Sequence, residues 1–527
     1  MKARYFTLIL ACYGIALRAG AAPKPAPASS PSPELPAHFK GSGGKAKSSN
    51  TTIHTVQIPR ETRAWWEIFR DETLDGLETR ALLANQDLRQ AVARVVEARQ
   101  QARAAAADFY PHLEAPLRAD RQRTTNTGPV QRGRFVGSIA TGSTTAAAGA
   151  GGAAASPLSS LGDFFNRPVL SQPLSNTFND FRTPLVLTYE VDVFGRIRAN
   201  YGQANAKALA AEADHRAVEL SLTSQVAAGY FNLRALDAEV AILQRTVHVR
   251  EDAVHLQTER AKAGAGTDLD VARAQVELAN AQSDLTDALR QRGEAENSLA
   301  PLCGALASDF HISPNPLGDG RPPAIPTGVP ADLLGQRPDL IEAGRKIDAS
   351  TQGIRAARAQ LLPTFNIEGD AGYESANTSH LYEWQSRTWE LLATVKVPIF
   401  EGGRNVANLN AAHARHEEAV AAYQQAVVSA FKEVEDALVD LRQRAAQAEA
   451  RVVAETNSQR VLDLSQERYL QGAVTYFEVV DAQRLLLGSQ LSRVQTLVAR
   501  YLATIDLIHA LGGRYDAAPS LQKSQAK

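Results

Sequence analysis

Two long stretches of this chain, residues 185–300 and 399–518, contain no proline, and between Arg404 and Leu470 there is no glycine either. Proline interrupts a helix by removing an amide donor and clashing with the preceding turn, so each stretch is free to stay helical over most of its length. Helices over 196–263 and 404–471 would each be ~100 Å long at 1.5 Å per residue. No compact domain holds such a helix, and the sequence therefore predicts an elongated molecule. Each helix stops at a glycine turn, Ala263-Gly264-Ala265-Gly266 or Gln471-Gly472-Ala473. Return helices are expected over 267–300 and 475–511, beginning where the turns end.

The two stretches are copies of one another. Moving the sequence by 208 positions lays Gly195-Arg196 on Gly403-Arg404, Leu233-Arg234 on Leu441-Arg442, and Glu259-Arg260, Gly264 and Thr267 on Glu467-Arg468, Gly472 and Thr475. Upstream the offset becomes 252, with Asp87-Leu88 and Pro111 meeting Asp339-Leu340 and Pro363. The difference of 44 residues is an insertion in the first copy, between Pro111 and Gly195. A constant offset held this long is an internal tandem repeat.

Within each copy a helical stretch (about 75–109 and 331–361) ends at a proline, and period-two alternation follows. Leu185, Leu187, Tyr189, Val191 and Val193 alternate with Thr188, Glu190 and Asp192; Trp389, Leu391, Ala393, Val395, Val397 and Ile399 alternate with Thr394 and Lys396. Four strands are expected, paired as 112–124 with 182–194 and 364–373 with 389–400. Their length suits transmembrane β-strands as well as half-buried strands of a soluble sheet. Four strands cannot close a membrane barrel, whose smallest form has about eight, and open edges are not tolerated in hydrocarbon. A membrane reading therefore requires several chains sharing one barrel; two, three or four would close.

Composition narrows the function. Fifty-six basic against 57 acidic side chains leave a net charge of −1, which gives no electrostatic reason to expect nucleic acid. The two cysteines, Cys12 and Cys303, are too few for a disulfide framework or a structural zinc site. His413 and His416 lie three apart but lack a third ligand. No catalytic constellation and no cofactor motif appears, so an enzyme is the least expected class. Lys2 and Arg4 before the apolar run Tyr5–Leu17 mark an export signal, spanning 1–21. Cleavage after Ala21 competes with a lipoprotein route (signal 1–11), in which Cys12 of Ile9-Leu10-Ala11-Cys12 carries lipid such as palmitate. Residues 22–61 read as a flexible tether.

In order along the chain stand Trp65-Trp66-x-x-Phe69 with Asp71 and Leu74, Tyr189-Glu190-x-Asp192-x-Phe194-Gly195-Arg196, and Tyr230-Phe231-x-Leu233-Arg234. They are followed by Val329-Pro330-Ala331-Asp332-Leu333-Leu334 with Arg337-Pro338-Asp339, Pro398-x-Phe400-x-Gly402-Gly403-Arg404, and Leu511-Gly512-Gly513. Through these residues the chain resembles the TolC-type outer-membrane efflux family, and within it the lipoprotein-like NodT branch, from about residue 62 to 513. The resemblance implies an α+β membrane protein: a trimeric 12-stranded outer-membrane β-barrel, four strands per chain, continuous with a long periplasmic α-helical barrel and a mixed equatorial domain. On this scheme 62–300 is the first repeat, 301–330 an equatorial linker, 331–513 the second repeat and 514–527 a tail. Residues 125–181 form an extracellular loop, with 374–388 as its counterpart. Phe109, Tyr110, Phe194 and Phe400 suit the periplasmic-side membrane interface or ordinary core packing.

The resemblance also implies a function: a passive exit duct for drugs or other toxic small molecules, in contact with outer-membrane lipid. The homotrimer docks on a periplasmic adaptor (membrane fusion) protein and an inner-membrane pump of the RND type. A duct for type I protein secretion is the alternative within the same architecture; a non-pore periplasmic coiled-coil scaffold is the alternative from another class. Glu478 and Asp481 match an acidic pair that lines the family's constriction. Their spacing of three puts both on one helix face, and rings of carboxylates from several chains concentrate cations and can bind divalent ions. Asp270 and Tyr469 match a closed-state link between the two tips, although Val474 replaces an arginine that strengthens it in some members. Arg260, Gly264 and Thr267 with Arg468, Gly472 and Thr475 are the candidate adaptor-docking tips. The plainer reading of Thr267 and Thr475 is helix capping.

Overall fold

The structure, a computed structural model, describes residues 64–123, 177–318, 320–323, 325 and 333–513. The expected signal with Cys12, the tether, loop residues 125–176, residues 326–332 and the tail 514–527 lie outside the described residues. By internal contact the chain divides into two compact units, and neither is a single copy of the repeat. Of the described residues, those within 103–201 and 355–409 make up one unit, and those within 64–102, 202–354 and 410–513 the other.

The first unit is built on an antiparallel sheet. Strands β1 (His112–Glu114) and β2 (Arg118–Arg123) both pair with β3 (Thr177–Val191), His112 facing Thr188 and Arg118 facing Arg182. The single strand expected over 112–124 is thus two pieces. Pro116, which has no N–H to give to a ladder, lies in the gap between them. β3 starts at Thr177, inside the stretch expected as loop, and pairs across the repeat with β4 (Thr364–Ser375), Leu187 facing Gly369. Pro184 sits in this inner strand opposite Gly372, where an added Cβ would lie 2.4 Å from the Thr183 carbonyl oxygen. β5 (Arg387–Lys396) completes the order β1/β2–β3–β4–β5. Among the described residues neither β2 nor β5 is paired on its outer side, and Trp389, Leu391 and Val395 of β5 are exposed.

The exit from β3 explains one motif. Gly195 takes a positive φ of 78°, and the Asp192 carboxylate accepts the amide hydrogens of Ile197 (3.1 Å) and Arg198 (3.0 Å) at the start of α3 (Arg196–Lys262). Arg196 grips Glu190 through two hydrogen bonds of 2.9 and 2.6 Å.

The second unit holds the main apolar core. The stretch expected as one helix over 75–109 is two, α1 (Glu72–Ala84) and α2 (Gln86–Ala107). Asn85 divides them: its Oδ1 accepts from the Leu88 amide at 2.9 Å, an N-cap, while its Nδ2 donates to the Leu302 carbonyl at 3.1 Å. Sequence motifs far apart in the chain meet here. Trp65 donates from Nε1 to Thr223 Oγ1 at 3.2 Å, and Phe231 stacks on Tyr501 with centroids 4.5 Å apart. Leu74, Leu77, Leu299, Cys303 and Ile505 fill the same cluster. Burial pushes the Cys303 thiol up to about 11, so it acts as a small core residue at the end of α4 (Asp268–Leu302). Arg234 and Arg292 converge on the fully buried Asp237 at 2.9 Å each, which fastens residues 312–315 through Arg234 to the Ser313 carbonyl and Asp237 to the Asn315 amide.

The remaining helices are α5 (Pro338–Ala359), preceded by a helical turn Leu333–Gln336, α6 (Arg404–Leu470) and α7 (Tyr476–Ala510). α3 and α6 have 67 residues each, α4 and α7 have 35 each, so the sequence repeat is also a repeat of element lengths. Among the described residues no helix is long and apolar enough to cross a membrane.

Candidate functional site

The tips of the two helical hairpins share one backbone design. At the first, Gly264 (φ 72°) donates to the Ala261 carbonyl at 3.0 Å and Ala265 to Arg260 at 2.8 Å; at the second, Gly472 (φ 77°) donates to Tyr469 at 3.0 Å and Ala473 to Arg468 at 2.9 Å. These paired bonds around a left-handed residue are the Schellman ending, which satisfies carbonyls a helix otherwise leaves open. The side chains then diverge. Thr267 caps α4, accepting from the Asp270 amide at 3.2 Å and donating to its Oδ2 at 2.8 Å. Thr475 sits at the same place before α7 without a side-chain cap bond. Capping therefore accounts for Thr267 and leaves Thr475 without that explanation.

Asp270 and Tyr469, matched to a link between tips, have other partners. The Asp270 carboxylate is taken by Thr267. The Tyr469 hydroxyl lies 3.0 Å from Gln257 Nε2, which donates to it from the buried face of α3. Arg260 stacks over the Tyr469 ring at 5.0 Å, and Tyr476 packs against the same ring at 5.8 Å. The repeat equivalent of Tyr469 is Ala261, which offers no ring, and Arg468 is exposed. The two tip arginines, identical in sequence, thus stand in different surroundings.

The first turns of α7 carry the carboxylates. Tyr476, Val479, Val480 and Ala482 are buried against Ala274 and Leu462, which turns Phe477, Glu478, Asp481, Arg484 and Leu485 outward. Glu478 and Asp481 share this exposed stripe, near the helix N-terminus whose dipole favours negative charge.

Beneath the stripe lies a cluster that sequence reasoning missed. Glu277 of α4 accepts from Arg484 through Nη2 and, at 3.1 Å, through Nε. Arg250 of α3, 3% exposed, approaches the same carboxylate at 3.5 Å and donates to Gln483. Burial holds the Arg250 guanidinium below its ordinary range, and the charge of Arg484 adds to that, against the opposing pull of Glu277. The only signal in the sequence is negative. Arg250, Glu277 and Arg484 fall where the repeat breaks, opposite Ser458, Leu485 and Val276.

Among the described residues no group of three or more His, Cys, Asp or Glu is placed to hold a metal ion. His416 Nδ1 instead lies 3.0 Å from Ser350 Oγ.

With this geometry in hand, comparison with known proteins is specific. The outer membrane efflux protein family matches residues 77–305 and 329–513. The chain is similar to outer membrane protein OprJ of Pseudomonas aeruginosa, 31% identical over 93% of this chain and 92% of that protein. It is also similar to the cation efflux system protein CusC of Escherichia coli, 28% identical over 86% of this chain and 89% of that protein. A crystal structure of a membrane protein from Pseudomonas aeruginosa superposes with a TM-score of 0.74 at 30% identity, covering 87% of this chain and 94% of that one.

Proposed function

The chain belongs to the outer membrane efflux protein family, and from that premise we propose how its two units work. It is an outer-membrane exit channel with a periplasmic portion, serving an efflux system together with an adaptor and an inner-membrane pump. The family is one of channel proteins, and this role asks no catalysis of the chain. Three chains close one barrel of twelve strands, β5 of each pairing with β2 of the next. The observation carrying this is the sheet itself: four antiparallel ribbons with outer strands unpaired among the described residues and large apolar side chains exposed on β5. In a membrane each unpaired backbone group costs several kcal/mol, so closure by further copies is the physical remedy.

The helical hairpins form the periplasmic tube, and their tips are the adaptor's docking points, with Arg260, Gly264, Thr267, Arg468, Gly472 and Thr475 at the turns. Glu478 and Asp481 ring the constriction. The likeness to CusC, named for cation efflux, supports small solutes as cargo. The energy comes from the inner-membrane partner, of the RND type in this reading.

The test is single-channel conductance of detergent-extracted protein in planar bilayers, beside its mass by light scattering. A trimer with small, cation-selective conductance that rises in Glu478→Ala/Asp481→Ala is the expected result. A selective pore indifferent to both substitutions would place the gate elsewhere. Protein that stays dispersed without detergent and conducts nothing would overturn the channel reading.

A further inference from the structure

The outward stripe of α7 mixes charges: Glu478, Asp481 and Arg484 follow one another at intervals of three. Oppositely charged residues at that spacing lie within reach of one another on a helix surface. Arg484 nevertheless turns to Glu277 of α4, engaging both carboxylate oxygens, although 56% of its side chain is exposed. Its protonated form is favoured first by the hydrogen bond to Glu277 and, more weakly, by the charge of Asp481 one turn away. Glu277 is itself confined, 8% exposed and approached from behind by the buried Arg250.

We infer that Glu277 is a selectivity-determining residue of the channel: by holding Arg484 it leaves the Asp481 carboxylate uncompensated at the constriction. The inference rests on the reading of Glu478 and Asp481 as pore-lining. Two arginines share one buried carboxylate, so removal of Glu277 frees the solvent-accessible arginine, and its next acceptor along the stripe is Asp481. A ring of carboxylates selects cations; a ring of carboxylate–guanidinium pairs carries little net charge and does so weakly. The repeat sharpens the point. The counterpart of Glu277 is Leu485 and that of Arg484 is Val276, so this counter-charge exists in one copy only.

The experiment measures reversal potentials in a salt gradient across planar bilayers for the full-length protein and for Glu277→Gln, Arg484→Gln, the double variant and Asp481→Asn. Glu277→Gln should lower the cation-to-anion permeability ratio on the order of threefold or more, Arg484→Gln should keep or raise it, and the double variant should return it to at least the parent value. The double variant guards against a trivial cause, because disorder from losing Glu277 would persist in it. A ratio unchanged in Glu277→Gln, or one still low in the double variant, overturns the inference. Asp481→Asn separates the premise: if it leaves the ratio untouched, the constriction reading fails and the role of Glu277 falls with it.

Discussion

The Tyr230 hydroxyl lies 2.5 Å from Asp71 Oδ2, joining residues 159 apart in sequence. The other oxygen of that carboxylate accepts from the amides of Thr73 (2.9 Å) and Leu74 (3.2 Å), capping α1. One aspartate thus starts a helix and ties it to α3. Burial, followed by this bond to Asp71, pushes the Tyr230 phenol up to about 12.

Tyr230→Phe should cost about 1–2 kcal/mol, and Asp71→Ala more, because it removes the cap as well. Chemical denaturation of both variants measures this. Equal losses would mean that the cap contributes nothing.

Glu78 is fully buried in α1 with both carboxylate oxygens unpartnered. Burial, aided by the charge of Asp75, pushes it up to about 9 from the ordinary 4.5. Its folded-state value exceeds its unfolded one, so between those limits the folded chain holds a proton that the unfolded chain releases. Stability therefore falls as pH rises through this window and levels off above about 9. Glu78→Gln should flatten that slope, with a gain over the parent at pH 8, relative to pH 4, on the order of 4 kcal/mol. Melting temperatures across the window check it; parallel profiles would refute it.

Tyr469 makes two separable contacts. Tyr469→Phe removes the Gln257 hydrogen bond and keeps the ring beneath Arg260, whereas Tyr469→Ala removes both. Channel opening in bilayers should increase modestly in the first and clearly in the second. Asp270→Asn, whose partner is Thr267, should combine with Tyr469→Ala additively, to within about 0.5 kcal/mol of opening free energy. Strong coupling would restore a direct link between the two residues.

Gly304 and Gly264 both adopt positive φ, at 63° and 72°. A Cβ on Gly304 would stand 2.3 Å from the Ala84 carbonyl oxygen, while Gly264 faces open space. Gly264→Ala should cost about 1 kcal/mol from backbone strain alone, and Gly304→Ala clearly more, since the end of α1 must also move. Thermal unfolding of the two variants tests the order.

The helix-to-turn punctuation was legible because it is local. Gly264 and Gly472 end helices by conformational freedom, and Pro111 and Pro363 end them by steric exclusion, whatever lies around them. The outward position of Glu478 and Asp481 follows from the apolar Val479 and Val480 beside them. Features set by distant partners leave no such local mark. Asn85 divides a helix that its flanking periodicity runs through, because it has a carbonyl 217 residues away to bond. Pro116 interrupts a strand whose alternation continues on either side of it.

The repeat, the matching helix lengths and the place of each tip are written locally in the chain, since periodicity, glycine and proline act within a few residues. The asymmetry laid over that repeat arises in the folded chain alone: β3 pairing with β4 across the two copies, Tyr469 bonded to Gln257, and Arg484 drawn to Glu277 rather than Asp481. These choices depend on the relative register of elements some two hundred residues apart. Side-chain reach and burial settle that register, and no local pattern in the chain encodes it.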